Sequence, residues 1–304
     1  MKNIYYWCPF IGNIATIKAV INSAYSLSKY SNNGFIPTII NSCGEWDRFN
    51  SILIDKKIVV KKFKNIFSIN TNTSGYFKSR ITYIKIFLSC FFSLKNTLKK
   101  NEPEYLIAHL ITSLPIFLYL IFNFKTKLVI RVSGKVKMNI LRKILWKLCE
   151  KNISLITCPT QATQNDIIKL NLVEKSKVIY LPDPIIEINE IFKQKNNNST
   201  DIKIKKNFFV MIGRYTRQKN HLLAIRCFKE LIKKNLDINL IIIGNGELKN
   251  EYLTEINYLK LENRIQLVDY QKNIPIYLSK SLGMISSSLW EDPGFVMIEA
   301  AACN

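Results

Sequence analysis

The sequence predicts an α/β protein of two similar units, each a parallel sheet covered on both sides by helices. Three observations carry this. Short apolar runs alternate with helix-length segments along the chain, the pattern of strands buried on both faces. A length of 304 residues exceeds one ordinary domain and suits two of roughly 150. The alternation also pauses once, after Leu181-Pro182-Asp183-Pro184, in a polar stretch running through Asn196-Asn197-Asn198-Ser199-Thr200, which reads as a linker.

In chain order, strands are expected at Ile4 to Trp7, Pro37 to Asn41, Tyr105 to Ala108, Leu128 to Val132, Leu155 to Cys158 and Val178 to Leu181. Met1 to Pro9 lacks the long apolar core and small-residue cleavage site of a secretory signal, so it reads as the entry to the first strand of a cytoplasmic protein. After the pause come a strand at Phe208 to Ile212, a helix from about His221 to Lys234 and a strand at Leu240 to Ile243. A helix near Leu248 to Leu259, a strand at Ile265 to Val268, a short strand at Leu282 to Ile285 and a helix from Phe295 onward complete the pattern. The expected boundaries are residues 1–184, a linker over 185–205, and 206–304. Tyr105 to Phe124 is apolar for nearly the length of a membrane span. A strand ending near Ala108 and a buried helix starting at Pro115 account for it with ordinary turn signals.

Composition narrows the function. A hydrophobic share of 48% is enough for two cores. Seven cysteines without paired spacing and only two histidines give no zinc or haem pattern, so reduced thiols and no metal are expected. The net charge is +22, and it is uneven: up to Tyr180 there are 27 Lys and Arg against 8 Asp and Glu. The first unit therefore faces an anionic surface or substrate. In Lys135 to Lys151, six basic residues are interleaved with Ile140, Leu141, Ile144, Leu145, Trp146 and Leu148, and Tyr76 to Lys100 has a similar blend. Both suit basic helices on an anionic membrane surface, or solvated helices with an inward apolar face. No zinc finger, RNA-recognition signature or helix-turn-helix accompanies the charge, so nucleic acid is not an expected partner.

Two motifs carry chemistry. After the Phe208 to Ile212 strand stands Gly213-Arg214-Tyr215-Thr216-Arg217-Gln218-Lys219-Asn220. Glycine permits a tight exit from the strand, and Arg214 and Lys219 are cations suited to one diphosphate. At the other end of the unit, Ser286-Ser287-Ser288-Leu289-Trp290-Glu291-Asp292-Pro293-Gly294-Phe295-Val296-Met297-Ile298-Glu299 places two carboxylates around a helix start. Backbone N–H groups there suit a phosphate, and Glu291 and Glu299 suit sugar and ribose hydroxyls.

Together with Ile241-Ile242-Ile243-Gly244-Asn245-Gly246-Glu247, these motifs make the second unit resemble the donor domain of glycosyltransferase family 4, as found in bacterial surface-polysaccharide glycosyltransferases. The resemblance implies a GT-B fold, two Rossmann-like domains facing a central cleft. It implies transfer of a hexose-type sugar, with retention of configuration, from a nucleotide-diphosphate donor to a lipid-linked or polysaccharide acceptor. No cofactor beyond the nucleotide sugar and no metal are implied, and the expected location is peripheral at the inner face of the cell membrane. Residue by residue, Arg214 and Lys219 would hold the diphosphate, Glu291 the donor-sugar hydroxyls, Glu299 the ribose, and the Gly294-Phe295-Val296 backbone the phosphates or sugar. In the first unit Gly12, within Pro9-Phe10-Ile11-Gly12-Asn13, falls where the family often has consecutive glycines near the donor phosphates. His109 matches a histidine that faces the reaction centre, and Arg131, closing a strand, suits an acceptor phosphate.

The chain departs from the family pattern at Asp269, where a glycine is common, and it ends shortly after Glu299, which reads as a C-terminal truncation of the second unit. Other readings stand beside this one: another GT-B enzyme such as a sugar-nucleotide epimerase, a basic nucleic-acid-binding protein, or a non-catalytic relic.

Overall fold

The computed structural model describes residues 1–11, 15–32, 34–64, 76–134, 138–184, 186–195, 206–271, 273–291 and 294–303. They form two compact units, Met1–Ile185 and Ile186–Asn304.

The sheet of the first unit has seven strands in the order β3-β2-β1-β4-β5-β6-β7. They are β1 (Lys2–Trp7), β2 (Phe35–Asn41), β3 (Val59–Lys62), β4 (Tyr105–Ala108), β5 (Lys127–Arg131), β6 (Ile153–Cys158) and β7 (Val178–Tyr180). Every neighbouring pair is parallel. Because side chains alternate along a strand, β1 feeds two cores. Ile4, Tyr6 and Cys8 pack with Ile17, Val20 and Ile21 of α1 (Ala15–Tyr30) and Leu53 of α2 (Asn50–Asp55). Tyr5 and Trp7 pack on the opposite face with α3 (Tyr76–Asn101), α4 (Ser113–Ile121) and α5 (Ile140–Leu148), and α6 (Gln161–Lys169) joins that core through Ile167. The apolar run around Pro115 is thus a strand followed by a buried helix, α4 beginning two residues before the proline. No helix among the described residues is long and apolar enough to cross a membrane.

The strand order reverses at β1, with β2 on one side and β4 on the other. Such a reversal leaves a crevice at the C-terminal strand ends, where open α/β sheets bind ligands. His109 follows β4 at this point, its backbone N–H donating to Trp7 O at 2.9 Å.

The second unit repeats the plan with four parallel strands ordered β10-β9-β8-β11: β8 (Phe208–Ile212), β9 (Asn239–Ile243), β10 (Ile265–Val268) and β11 (Gly283–Met284). Its reversal lies between β8 and β11. Strand β9 is buried along its whole length, as a central strand covered on both faces must be. Helices α8 (His221–Lys233) and α9 (Lys249–Tyr258) cover one face; α7 (Ile188–Lys195) and α10 (Ile274–Lys280) cover the other, and α11 (Phe295–Ala301) ends the unit.

Two elements differ from expectation. Part of the stretch expected as linker is α7, whose Ile191 is buried with Phe208 and Val210 and whose Lys195 Nζ donates to Cys303 O at 2.9 Å. Strand β3 was not expected, because it is a short edge strand with no buried run, preceded by Lys56 and Lys57 and ending in Lys61 and Lys62. Lysine on an edge blunts its pairing capacity and hides it from an apolar-pattern reading.

Candidate functional site

The site in the second unit is built from two loops at its strand reversal. Contact between the β8–α8 and β9–α9 loops depends on missing side chains. A Cβ on Gly244 would lie 1.9 Å from Gly213 O, and one on Gly246 would lie 2.4 Å from Tyr215 O. A Cβ on Gly213 would lie 3.0 Å from Cδ and Cε of Lys219, so the Lys219 stem runs directly across that glycine. Tyr215 pins the loop from below. Its ring is fully buried, its hydroxyl donates toward the carbonyls of Ile242 (2.9 Å) and Val268 (3.0 Å), and its backbone N–H donates to Asn245 O.

The β8–α8 loop is then tied to the segment after β11. Ser287 Oγ lies 3.1 Å from Lys219 O and 2.8 Å from Asn220 O. Leu289 N–H donates to Gln218 O at 2.9 Å, and Gln218 Nε2 donates to Trp290 O at 3.1 Å. These bonds fix the backbone from which Lys219 and Glu291 reach each other: Lys219 Nζ forms an ion pair with Glu291 Oε1, an oxygen that also accepts from Ser288 Oγ at 2.7 Å. The pair is largely sheltered, with 17% and 21% of the two side chains exposed. Gly294 follows in the left-handed region at φ +75°, where a side chain is strained, and turns the chain into α11. Lys219, Glu291, Gly294 and Val296 line one recess of ≈ 310 Å³, a volume that includes solvent at its mouth. Met211 and Met284 lie among its apolar lining and Ser286 to Ser288 among its polar lining.

His221 opens α8 and also borders the recess. Its ring is packed edge-on to Tyr215 and Tyr252, with Nδ1 3.4 Å from Tyr252 Oη. Burial, then the neighbouring Lys219 charge, hold its pKa down at about 4, so this imidazole is neutral at pH 7.

Of the residues expected at a donor site, four meet at the recess. Arg214 is exposed beside Gly213, does not line it, and forms no ion pair with a described residue. Phe295 and Glu299 are half-buried on α11 outside the recess lining. Gly12 lies outside the described residues.

In the first unit, His109 is buried and stacked on Tyr6, ring centroids 6.0 Å apart. Its Nδ1 has no hydrogen-bond partner among the described residues. Burial, then the charge of Arg131, lower its pKa to about 3, so it is a neutral group at physiological pH. Arg131, expected to meet an acceptor phosphate, is instead turned inward: Nη1 donates to Leu181 O at 2.6 Å and Nη2 pairs with Asp183 Oδ1 at 2.6 Å, both side chains being buried. The segment after β7 has no side-chain pattern that announces this contact, which is why the strand-end position of Arg131 suggested an outward role.

Sequence reasoning also passed over Ser287, Ser288, Gln218 and His221. The serines were read as a turn, which they are. That the Ser287 hydroxyl binds the other loop follows only from the β8–β11 adjacency.

Two parallel α/β units, the second with a cation, a carboxylate and a left-handed glycine gathered at its strand reversal, follow the plan of the GT-B fold. Residues 192–304 match the family described as glycosyl transferases group 1. A Campylobacter jejuni protein, N-acetylgalactosamine-N,N'-diacetylbacillosaminyl-diphospho-undecaprenol 4-alpha-N-acetylgalactosaminyltransferase, is 36% identical over 104 residues, 34% of this chain and 28% of that protein. An Escherichia coli UDP-Gal:alpha-D-GlcNAc-diphosphoundecaprenol alpha-1,3-galactosyltransferase is 30% identical over 173 residues, 52% of this chain and 44% of that one. The matched stretches span less than half the length of these curated relatives. In fold, the chain is similar to Anabaena Alr3699/HepE in complex with UDP, with a TM-score of 0.67, 15% identity, and coverage of 100% of this chain and 79% of that one.

Proposed function

We propose that the protein transfers a hexose-type sugar, with retention of configuration, from a nucleotide-diphosphate donor to a lipid-linked acceptor in surface-polysaccharide synthesis, as a peripheral protein at the inner face of the cell membrane. The observation that carries this reading is the Lys219–Glu291 pair beside Gly294 in one sheltered recess, inside the region matched by the family. The lipid-linked acceptor is supported by the two relatives, whose names specify undecaprenol-diphosphate-linked substrates. The nucleotide is supported by the UDP bound in the Anabaena protein.

In this reading the donor diphosphate draws the Lys219 ammonium, with Arg214 closing from the exposed side of the same loop. Charge accumulates on the diphosphate as the glycosidic bond breaks, and the two cations stabilise it in that transition state. They take the part a divalent metal plays elsewhere, so the reaction calls for none and continues in chelator. As Lys219 turns to phosphate, Glu291 accepts hydrogen bonds from donor-sugar hydroxyls, and Glu299 on α11 takes the ribose. Gly294, Phe295 and Val296 supply backbone to the phosphates or sugar. His109, neutral at working pH, orients sugar or acceptor by a hydrogen bond without adding a charge. Retention follows from attack on the face the leaving diphosphate departs from.

The test is transfer from a panel of radiolabelled nucleotide sugars to an undecaprenyl-diphosphate-linked saccharide, with and without EDTA. Wild-type transfer, and its loss on Lys219→Ala or Glu299→Ala, is the expected result. Turnover unchanged in both variants overturns the site assignment. Conversion of the donor without any acceptor identifies an epimerase instead.

A further inference from the structure

We infer that the outer face of α3 and α5 in the first unit is a docking surface for a bilayer rich in anionic lipid. The inference rests on the lipid-borne acceptor proposed above for its purpose; three observations give its place. First, α3, α4 and α5 form one layer on one side of the sheet. Ile86, Cys90 and Leu94 of α3 and Trp146 of α5 share a buried core. Phe87 and Phe91 meet Phe117 of α4 at 5.7 and 6.3 Å, and Cys149, just after α5, lies 3.5 Å from Ile116 O of α4.

Second, the opposite faces of the two flanking helices are apolar and open. Ile81, Ile84, Leu88 and Phe92 recur at helical spacing along α3, each 55–67% exposed. On α5, Ile140, Leu141, Ile144 and Leu148 are 51–77% exposed. A stripe of this kind normally faces a core, yet here the core side of each helix is already filled, so the second stripe needs a second apolar phase.

Third, the surroundings are cationic: α3 carries six Lys and Arg, α5 carries three, and neither contains Asp or Glu. Apolar side chains projecting among lysines, with no described helix able to span, match a surface that lies in the interface, stripes in the acyl boundary and ammonium groups at anionic headgroups. A polynucleotide supplies the anions but no apolar phase. A second copy of the chain sets like charges against each other.

The experiment is co-sedimentation of the full chain with phosphatidylcholine vesicles and with vesicles of phosphatidylcholine and phosphatidylglycerol, at about 0.1 M and about 1 M salt. Binding is expected to the anionic vesicles, to fall at high salt, and to fall at least about tenfold for Leu88→Glu combined with Ile144→Glu. A charge variant, Lys85→Glu with Lys143→Glu, is expected to weaken binding while leaving the apolar stripes intact. Far-UV circular dichroism and nucleoside-diphosphate binding by the second unit, both expected unchanged, show that the variants are folded. Equal binding to both vesicles, binding unaffected by either double substitution, or a concentration-dependent dimer or polyuridylate complex that the Glu variants abolish overturns the proposal. Docking without any sugar transfer leaves this surface standing and sinks the enzymatic reading; transfer to a lipid acceptor without docking does the reverse.

Discussion

Lys219 and Glu291 can meet because nearby positions carry no Cβ, and the sharpest tests at residue scale are made there. Gly244→Ala drives a methyl to 1.9 Å from a backbone oxygen that has no rotamer to escape by. It is expected to destabilise the second unit by about 1–3 kcal/mol or more, read from the midpoint of urea unfolding. Gly213→Ala presses on the flexible Lys219 stem at 3.0 Å and also strains the backbone at φ +159°, so losses of both nucleotide affinity and stability are expected. The two buried histidines set a pH dependence. Their pKa values are about 3 for His109 and about 4 for His221, both below the unfolded value of about 6.5. The neutral forms are therefore the ones the fold holds. Their stability is fully present above about pH 6.5 and is lost as pH falls through the folded values. Thermal unfolding temperature is expected to drop between about pH 6.5 and pH 4, and to drop less in His221→Gln. The chemistry-bearing residue types were legible in the sequence because cations after one strand and carboxylates around a later helix start are local patterns. The ion pair between Lys219 and Glu291 was not, since 72 positions separate its members and only the sheet order brings them together.

At the scale of elements, strands of the central sheets were readable because burial on both faces leaves an uninterrupted apolar run, as in Leu240 to Ile243. Strand β3 and helix α7 escaped for opposite reasons. The first is an edge whose stability comes from pairing with β2 through Thr38 to Asn41 rather than from burial. The second sits in a polar stretch and is held by one apolar anchor, Ile191, plus the Lys195 bond to Cys303 O. Ile191→Ala is expected to destabilise the second unit by about 2 kcal/mol or more, where a linker residue at this position predicts no change. Asp183 gives a matching test in the first unit. The Arg131–Asp183 pair is buried, and Asp183→Ala leaves a guanidinium charge without its carboxylate. A loss of about 3–5 kcal/mol is expected, measured by chemical denaturation; a loss below about 1 kcal/mol, typical of exposed pairs, contradicts an internal role for Arg131.

Across the whole molecule, each unit has its own cores and its own strand reversal, and the chain divides its charge between them. The excess of Lys and Arg up to Tyr180 falls on the unit with the open α3 and α5 stripes. The nearly balanced remainder belongs to the unit with the donor recess. This division makes nucleotide binding and surface docking separable properties, since the residues proposed for each lie in different units. Hydrogen exchange with bound nucleotide is expected to slow at the amides of Lys219 to Leu222 and of Ser287 to Glu291. The central claim is that the recess lined by Lys219 and Glu291 receives a nucleoside diphosphate. Its most direct test is calorimetric titration of uridine, guanosine and adenosine diphosphates into the wild-type chain and Lys219→Ala. The account predicts that at least one of them binds and that the substitution weakens it about tenfold or more; absence of binding by all three, or equal binding by the variant, contradicts it.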